Sequence, residues 1–185
     1  MAADTTMRLE PWDGRGLELE RRANVPEMKT FLGGPETDEA LVARHLRILD
    51  FAAAGTGQMF LVLVPEEGQP VGSVGYWERE WAGETVYELG WKVMTGFQGR
   101  GLAVAATVAA VGLAAAEKRH RWAHAYPRVD NAASNAVSRK AGFELLGECD
   151  FEYPKGVPIR CNDWRYELTS VSGSAAGSGS TRSRA

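Results

Sequence analysis

The sequence predicts a single mixed α/β domain, and three observations carry that prediction. Apolar runs broken by turn residues read as a three-stranded meander between Met59 and Met94. A glycine-rich loop, Gly96 to Gly101, then leads into an alanine-rich apolar stretch with the character of a buried helix. A further strand, a further helix and a closing hairpin follow. The chain has 185 residues, of which 44% are hydrophobic, a length and composition that suit one domain with a real core.

Taken in order, Met7 to Pro11 predicts a short strand. Gly16 to Arg22 and Pro26 to Phe31 predict short helices ahead of Gly33-Gly34. Thr37 can cap a stronger helix in which Leu41, Val42, His45, Leu46, Ile48 and Leu49 form a stripe, and Gly55-Thr56-Gly57 stops it. Met59 to Val64, Val71 to Trp81 and Thr85 to Met94 are the meander strands, joined by turns at Pro65–Pro70 and Ala82–Glu84. The helix after the glycine loop runs to about Arg119. Trp122 to Tyr126 is the next strand, expected parallel to Thr85–Met94 because a helix connects them. Asn131 to Ala141 is a helix ended by Gly142, and Phe143–Tyr153 with Val157–Leu168 forms the final hairpin. We expect the folded domain to span residues 7–168, between a disordered N-terminus, 1–6, and a disordered Gly/Ser-rich tail, 169–185.

Composition narrows the function. There are 21 basic and 24 acidic residues, for a formal net charge of −3, which argues against phosphate-neutralising nucleic-acid binding. The longest apolar run, Gly101 to Ala116, is short for a bilayer span, which needs about 20 residues, so no membrane partner is expected. Two cysteines, Cys149 and Cys161, are too few for a disulfide framework. They fall near opposite each other if the hairpin turns at Lys155, but reduced thiols in a cytoplasmic protein are the expectation. His45, His120 and His124 lack metal-ligand spacing, so no metal is expected.

The loop Gln98-Gly99-Arg100-Gly101-Leu102-Ala103 carries most of the functional signal. A strand feeding glycines into a helix makes an anion site, because backbone N–H groups point outward and the helix dipole favours negative charge. A P-loop would need Gly-Lys-Ser/Thr, which is missing. A dinucleotide fingerprint would put its third small residue at Val104, and no acidic residue ends the strand Trp122–Tyr126. Both facts disfavour a nucleotide-dependent oxidoreductase.

The spacing Val93-x-x-x-x-Gln98-x-x-Gly101-x-Ala103 resembles the coenzyme A motif of the GNAT N-acetyltransferases. Asn131-x-x-Ser134 followed by Lys140-Ala141-Gly142-Phe143 is similar to that family's last helix and the strand after it. The stretch from Ala23-Asn24-Val25-Pro26-Glu27-Met28 through Leu32-Gly33-Gly34-Pro35 resembles the subgroup of ribosomal-protein N-terminal acetyltransferases. The resemblance implies a mixed, mostly antiparallel sheet with helices on both faces and a splayed central strand pair. It implies acetyl-coenzyme A as cosubstrate, with its pyrophosphate on the backbone N–H groups of Gln98, Gly99, Arg100, Gly101, Leu102 and Ala103. Its pantetheine arm would lie along Val93, Met94 and Thr95, with Asn131 and Asn135 contacting it from the last helix.

Acetyl transfer needs a neutral amine, a donor for the carbonyl oxygen and a proton for the departing thiolate. The resemblance suggests Glu88, on the strand entering the loop, as general base. The family's usual acid is a tyrosine seven residues after the asparagine; here that position is Ser138, which could donate a hydrogen bond to the leaving sulfur. The acceptor would be an amine on a small molecule or a protein N-terminus, and the protein a monomer or homodimer. A non-catalytic coenzyme A-binding sensor of the same fold is the alternative. Glu78, Glu80 and Glu84 read as a solvated turn, and Lys118 to Arg121 as charges placed at a helix C-terminus.

Overall fold

The structure is a computed structural model that describes residues 7–171. Among them, seven strands form one sheet in the order β1-β2-β3-β4-β5-β7-β6. The strands are β1 (Arg8–Pro11), β2 (Gly57–Leu63), β3 (Gly72–Trp81), β4 (Glu84–Val93), β5 (Trp122–Ala125), β6 (Glu144–Glu152) and β7 (Pro158–Glu167). The helices are α1 (Gly14–Arg22), α2 (Pro26–Lys29), α3 (Asp38–Ala54), α4 (Leu102–Glu117) and α5 (Ala132–Lys140). Every strand pair is antiparallel except β4–β5, which is parallel as the helical crossover requires. The expected disordered residues 1–6, and 172–185 of the expected tail, lie outside the described residues; Leu168–Val171 forms a short 3-10 turn.

Alternation along the strands sorts two cores. Val62, Val74, Tyr76, Tyr87, Leu89 and Val93 meet Leu102, Ala106, Ala110 and Ala114 of α4 on one face. The small alanines let the helix lie close to the sheet. On the other face Leu61 and Leu63 meet Trp12, Leu19 of α1 and Ile48 of α3.

Local chemistry explains most boundaries. The Asp13 carboxylate caps α1 by accepting from Arg15 N. Thr37 caps α3 by accepting from Ala40 N, and Gly55 ends it in the left-handed conformation at φ 69°. The α3 stripe is narrower than expected. Leu41 and Ile48 are buried, but Leu46 and Leu49 are 53% and 38% exposed. Because α1 packs beside α3, only one line of side chains reaches β2, and His45 turns inward to accept from Trp12 Nε1 at 2.9 Å.

Helix α4 stops at Glu117 with Lys118 left-handed. Side chains beyond it reach carboxylates on the sheet instead of capping the helix. Arg119 and His120 both meet Glu78, at 2.6 and 2.9 Å, and Arg121 meets Glu167 at 2.9 Å.

Candidate functional site

The site begins where β4 and β5 part. Their ladder consists of Tyr87 beside Ala123 and Glu88 beside His124. Strand β4 continues to Val93 against β3 alone, while β5 turns to β7 through Ala125 and Trp164. A wedge therefore opens between neighbouring strands. Met94 N–H donates to Val71 O of the chain leading into β3 at 2.8 Å. Successive peptides of a strand face opposite edges, so those of Val93 and Trp91 face the wedge. An edge that no strand covers can accept an extended ligand as an added strand. Of the three strand-end residues predicted to meet a ligand, Val93 turns its peptide to the wedge and Met94 turns its own to β3. Met94 packs against the α1–α3 core, and the Thr95 hydroxyl donates to Glu27 at 3.2 Å.

At the open end of the wedge sits the glycine loop. After the 3-10 turn Thr95–Phe97, Gly99 and Gly101 take φ of 75° and 79°, where a side chain would strain the backbone. A Cβ built on either would meet nothing within 4 Å, so the loop presents bare backbone to open space. Gly101 is the N-cap of α4, and no side chain caps that end. The orphan N–H groups of the first turn, including those of Leu102 and Ala103, thus face outward with the positive end of the helix dipole. Gln98 reaches back to donate to Val93 O at 2.9 Å, tying loop to strand. Arg100 donates to Gly96 O at 2.9 Å and lies over the Phe97 ring.

Helix α5 borders the other side. Asn131 caps it, accepting from Ser134 N at 3.1 Å. Asn135 is buried and its amide is saturated: it donates to Arg128 O and Asn131 O and accepts from Asn162 and Trp164 Nε1. It fixes the β5–α5 loop to β7. Ser138 is fully buried and donates to Ser134 O at 3.2 Å.

Glu88 lies at the apex of the wedge, on the face opposite α4. Its side chain is 15% exposed, and Oε2 accepts from Arg79 Nη1 at 2.5 Å. Burial pushes its carboxyl above the ordinary range; the Arg79 charge and hydrogen bonds from Arg79 and Trp77 offset only part of that.

Around Glu88 the structure gathers residues that sequence reasoning missed. His124 Nδ1 donates to Asp163 Oδ1 at 2.6 Å, and Asp163 Oδ2 accepts from Trp81 Nε1 at 2.9 Å. The Arg79 guanidinium lies over the rings of Phe151, Tyr126 and Trp81. The parallel register places His124 beside Glu88, where the sequence indicated only that the two strands run parallel. Asp163 and Phe151 arrive through strand pairings that leave no local signal.

A buried ionic network roofs the same face. Glu20 of α1 holds Lys92 of β4 at 2.5 Å and Arg44 of α3 at 3.1 Å, while Glu36 pairs with Lys29 at 2.7 Å and with Arg44. The Asn24 amide locks the loop between α2 and α3 by bonding both the N–H and the carbonyl of Glu36. Phe31, from the same segment, lies under the Arg128 guanidinium across the wedge.

Among the described residues no cluster of three metal-ligating side chains occurs, and no helix is long and apolar enough to cross a membrane.

Comparison with known proteins gives a family and a set of relatives of the same fold. The model of the acetyltransferase (GNAT) domain matches residues 7–144. No curated protein sequence matches the chain. The ribosomal L7/L12 alpha-N-protein acetyltransferase RimL, solved with coenzyme A, superposes with a TM-score of 0.70 at 21% identity, covering 89% of this chain and 95% of that one. RimJ of Mycobacterium smegmatis, solved with a coenzyme A disulfide, gives 0.72 at 16% identity over 90% and 84%. The aminoglycoside acetyltransferase AAC(6')-Ib, solved with coenzyme A, gives 0.71 at 16% identity over 90% and 99%.

Proposed function

The chain belongs to the GNAT acetyltransferase family, and from that premise we propose that it moves acetyl from acetyl-coenzyme A to a primary amine by direct attack in a ternary complex. The observation that carries this reading is the uncapped α4 N-terminus, with left-handed Gly99 and Gly101, set at the end of a strand whose far edge pairs with no strand beyond Glu88. A pyrophosphate suits the first feature and a pantetheine arm the second. Both fit the cosubstrate that the family uses.

Acetyl-coenzyme A supplies an activated thioester; the chain's own residues hold it and manage protons. Backbone N–H groups from Gln98 to Ala103 take the pyrophosphate, and the peptide edges of Trp91 and Val93 take the arm. Asn131 and Asn135 shape the second wall, Asn131 as a helix cap and Asn135 as an internal brace. Glu88, its carboxyl raised by burial, accepts the proton that the acceptor's ammonium must lose. Ser138 is proposed to turn its hydroxyl from Ser134 O toward the leaving sulfur.

The acceptor is an amine on a small molecule or a protein N-terminus; the solved relatives named for L7/L12 and for aminoglycosides illustrate both classes. We place the protein in the cytoplasm, as a monomer or homodimer. Cys149 and Cys161 face each other across β6 and β7 as free thiols, and burial pushes each up to about 11.

Titration calorimetry tests the donor site. Gly101→Asp places a side chain where φ is 79° and a negative charge where the anion sits, so acetyl-coenzyme A affinity should fall at least about tenfold. Unchanged affinity would refute the site. A thiol-release screen across peptides and small amines tests catalysis; tight donor binding with no release on any acceptor would favour the sensor.

A further inference from the structure

Three buried side-chain polar atoms lack a hydrogen-bond partner among the described residues: Tyr126 Oη, Arg79 Nε and Arg165 Nε. A buried hydroxyl without a partner is costly and calls for a cause. Two of the three belong to the cluster around Glu88, and Tyr126 occupies its most telling position.

Tyr126 follows β5 directly. The β4–β5 ladder ends at Glu88 and His124, so Tyr126 stands two residues into the opening. Its ring stacks on His124 at 5.8 Å and 17°, which puts it on the same face as Glu88's neighbour. Phe151 stacks on the same ring at 4.9 Å, and Trp81 lies tilted against it at 4.6 Å. The phenol is thus held rigidly by aromatic contacts while its hydroxyl bonds to nothing. The charges that act on it are Asp163, Glu88 and Arg79, two carboxylates against one guanidinium. That balance attracts a cation.

We propose that Tyr126 is a further catalytic residue, its hydroxyl holding the acceptor nitrogen against Glu88 for attack. This rests on the acetyltransferase reading of the wedge. An ammonium drawn in by the two carboxylates gives one proton to Glu88. The neutral amine then donates an N–H to a Tyr126 Oη lone pair while its own lone pair attacks the thioester carbon. The C–N bond forms and the C–S bond breaks; sulfur leaves with the bonding pair and takes the surplus proton from nitrogen. Glu88 later releases its proton to solvent. Tyr126 stays protonated throughout, since burial beside Asp163 and Glu88 holds its phenol far above the ordinary value. Its role is therefore to hold and orient the nitrogen.

The test needs no knowledge of the natural acceptor. Coenzyme A carrying S–CH2–C(O)–NH–CH3 on its sulfur sets an N–H where the attacking nitrogen would be. Calorimetry compares this probe and plain coenzyme A on the full chain and on Tyr126→Phe. The variant should bind the probe about five- to tenfold more weakly, the worth of one hydrogen bond, and plain coenzyme A equally well. Its melting temperature should hold or rise, because the substitution removes an unpartnered buried hydroxyl. Equal probe affinity in the two proteins, or a variant that melts well below the parent, overturns the role of Tyr126. Failure of the parent to bind plain coenzyme A overturns the underlying donor reading instead.

Discussion

Two opposing neighbours set the strength of Glu88: burial, which disfavours its charge, and Arg79, which favours it. Glu88→Gln should lower kcat/KM by about 10²–10⁴, the usual worth of a positioned base, and flatten the acid limb of the pH–rate profile. Arg79→Met removes the favouring cation, so the Glu88 carboxyl rises further and the acid limb moves to higher pH. Steady-state rates across pH with any acceptor found by the screen check both. Stability responds with a definite sign. A carboxyl raised by folding binds protons more tightly in the native state. Its contribution therefore declines as pH rises from the ordinary carboxyl value through the raised one. The place of Glu88 on the strand that leads into the loop was legible in the sequence. Arg79 was not, since nothing local marks which strand arginine folds back over three rings.

At the scale of elements, α4 and α5 carry the site in different ways. The first offers an uncapped end to a ligand; the second is capped by Asn131 and pinned by Asn135. Asn131→Ala should cost about 1 kcal/mol, as caps do. Asn135→Ala strands Trp164 Nε1, the Asn162 amide and two carbonyls, and should cost on the order of 3 kcal/mol. Denaturant midpoints of the two variants measure the difference. The end of α5 was readable from Gly142 because a helix stop is local chemistry, whereas Asn131 was read as a cofactor contact and the structure shows it as the cap. The pin was not readable, because its partners lie on β7. The α3 stripe shows the same limit: periodicity predicts an apolar face, but the packing of α1 decides that Leu46 and Leu49 stay exposed.

For the whole molecule, acid should weaken the ionic roof. Desolvation would raise the Glu36 carboxyl, yet hydrogen bonds and charge from Arg44 and Lys29 outweigh it and bring it to about 2. Stabilisation from this group is complete above the ordinary carboxyl value and is lost as pH falls from there towards about 2. Melting temperatures followed from neutral pH into acid should drop, and Glu36→Gln should show a lower starting value and a shallower drop. The meander, the parallel strand and the glycine loop all follow from nearest-neighbour pattern and were legible. The insertion of β7 between β5 and β6, and the roof that joins α1, α3 and β4, depend on contacts between distant segments.

The parting of β4 from β5 has a consequence for descent. The proposed donor grip is drawn from the middle of the chain, residues 89–103. The walls facing Glu88 come from the two flanks: the α1–α3 segment before it and the closing hairpin with Asp163 and Phe151 after it. Mutation can therefore reshape the flanks while the shared middle stays constant. One ancestral grip can serve lineages that diverge in what they modify, with selection acting on the two halves of the reaction separately.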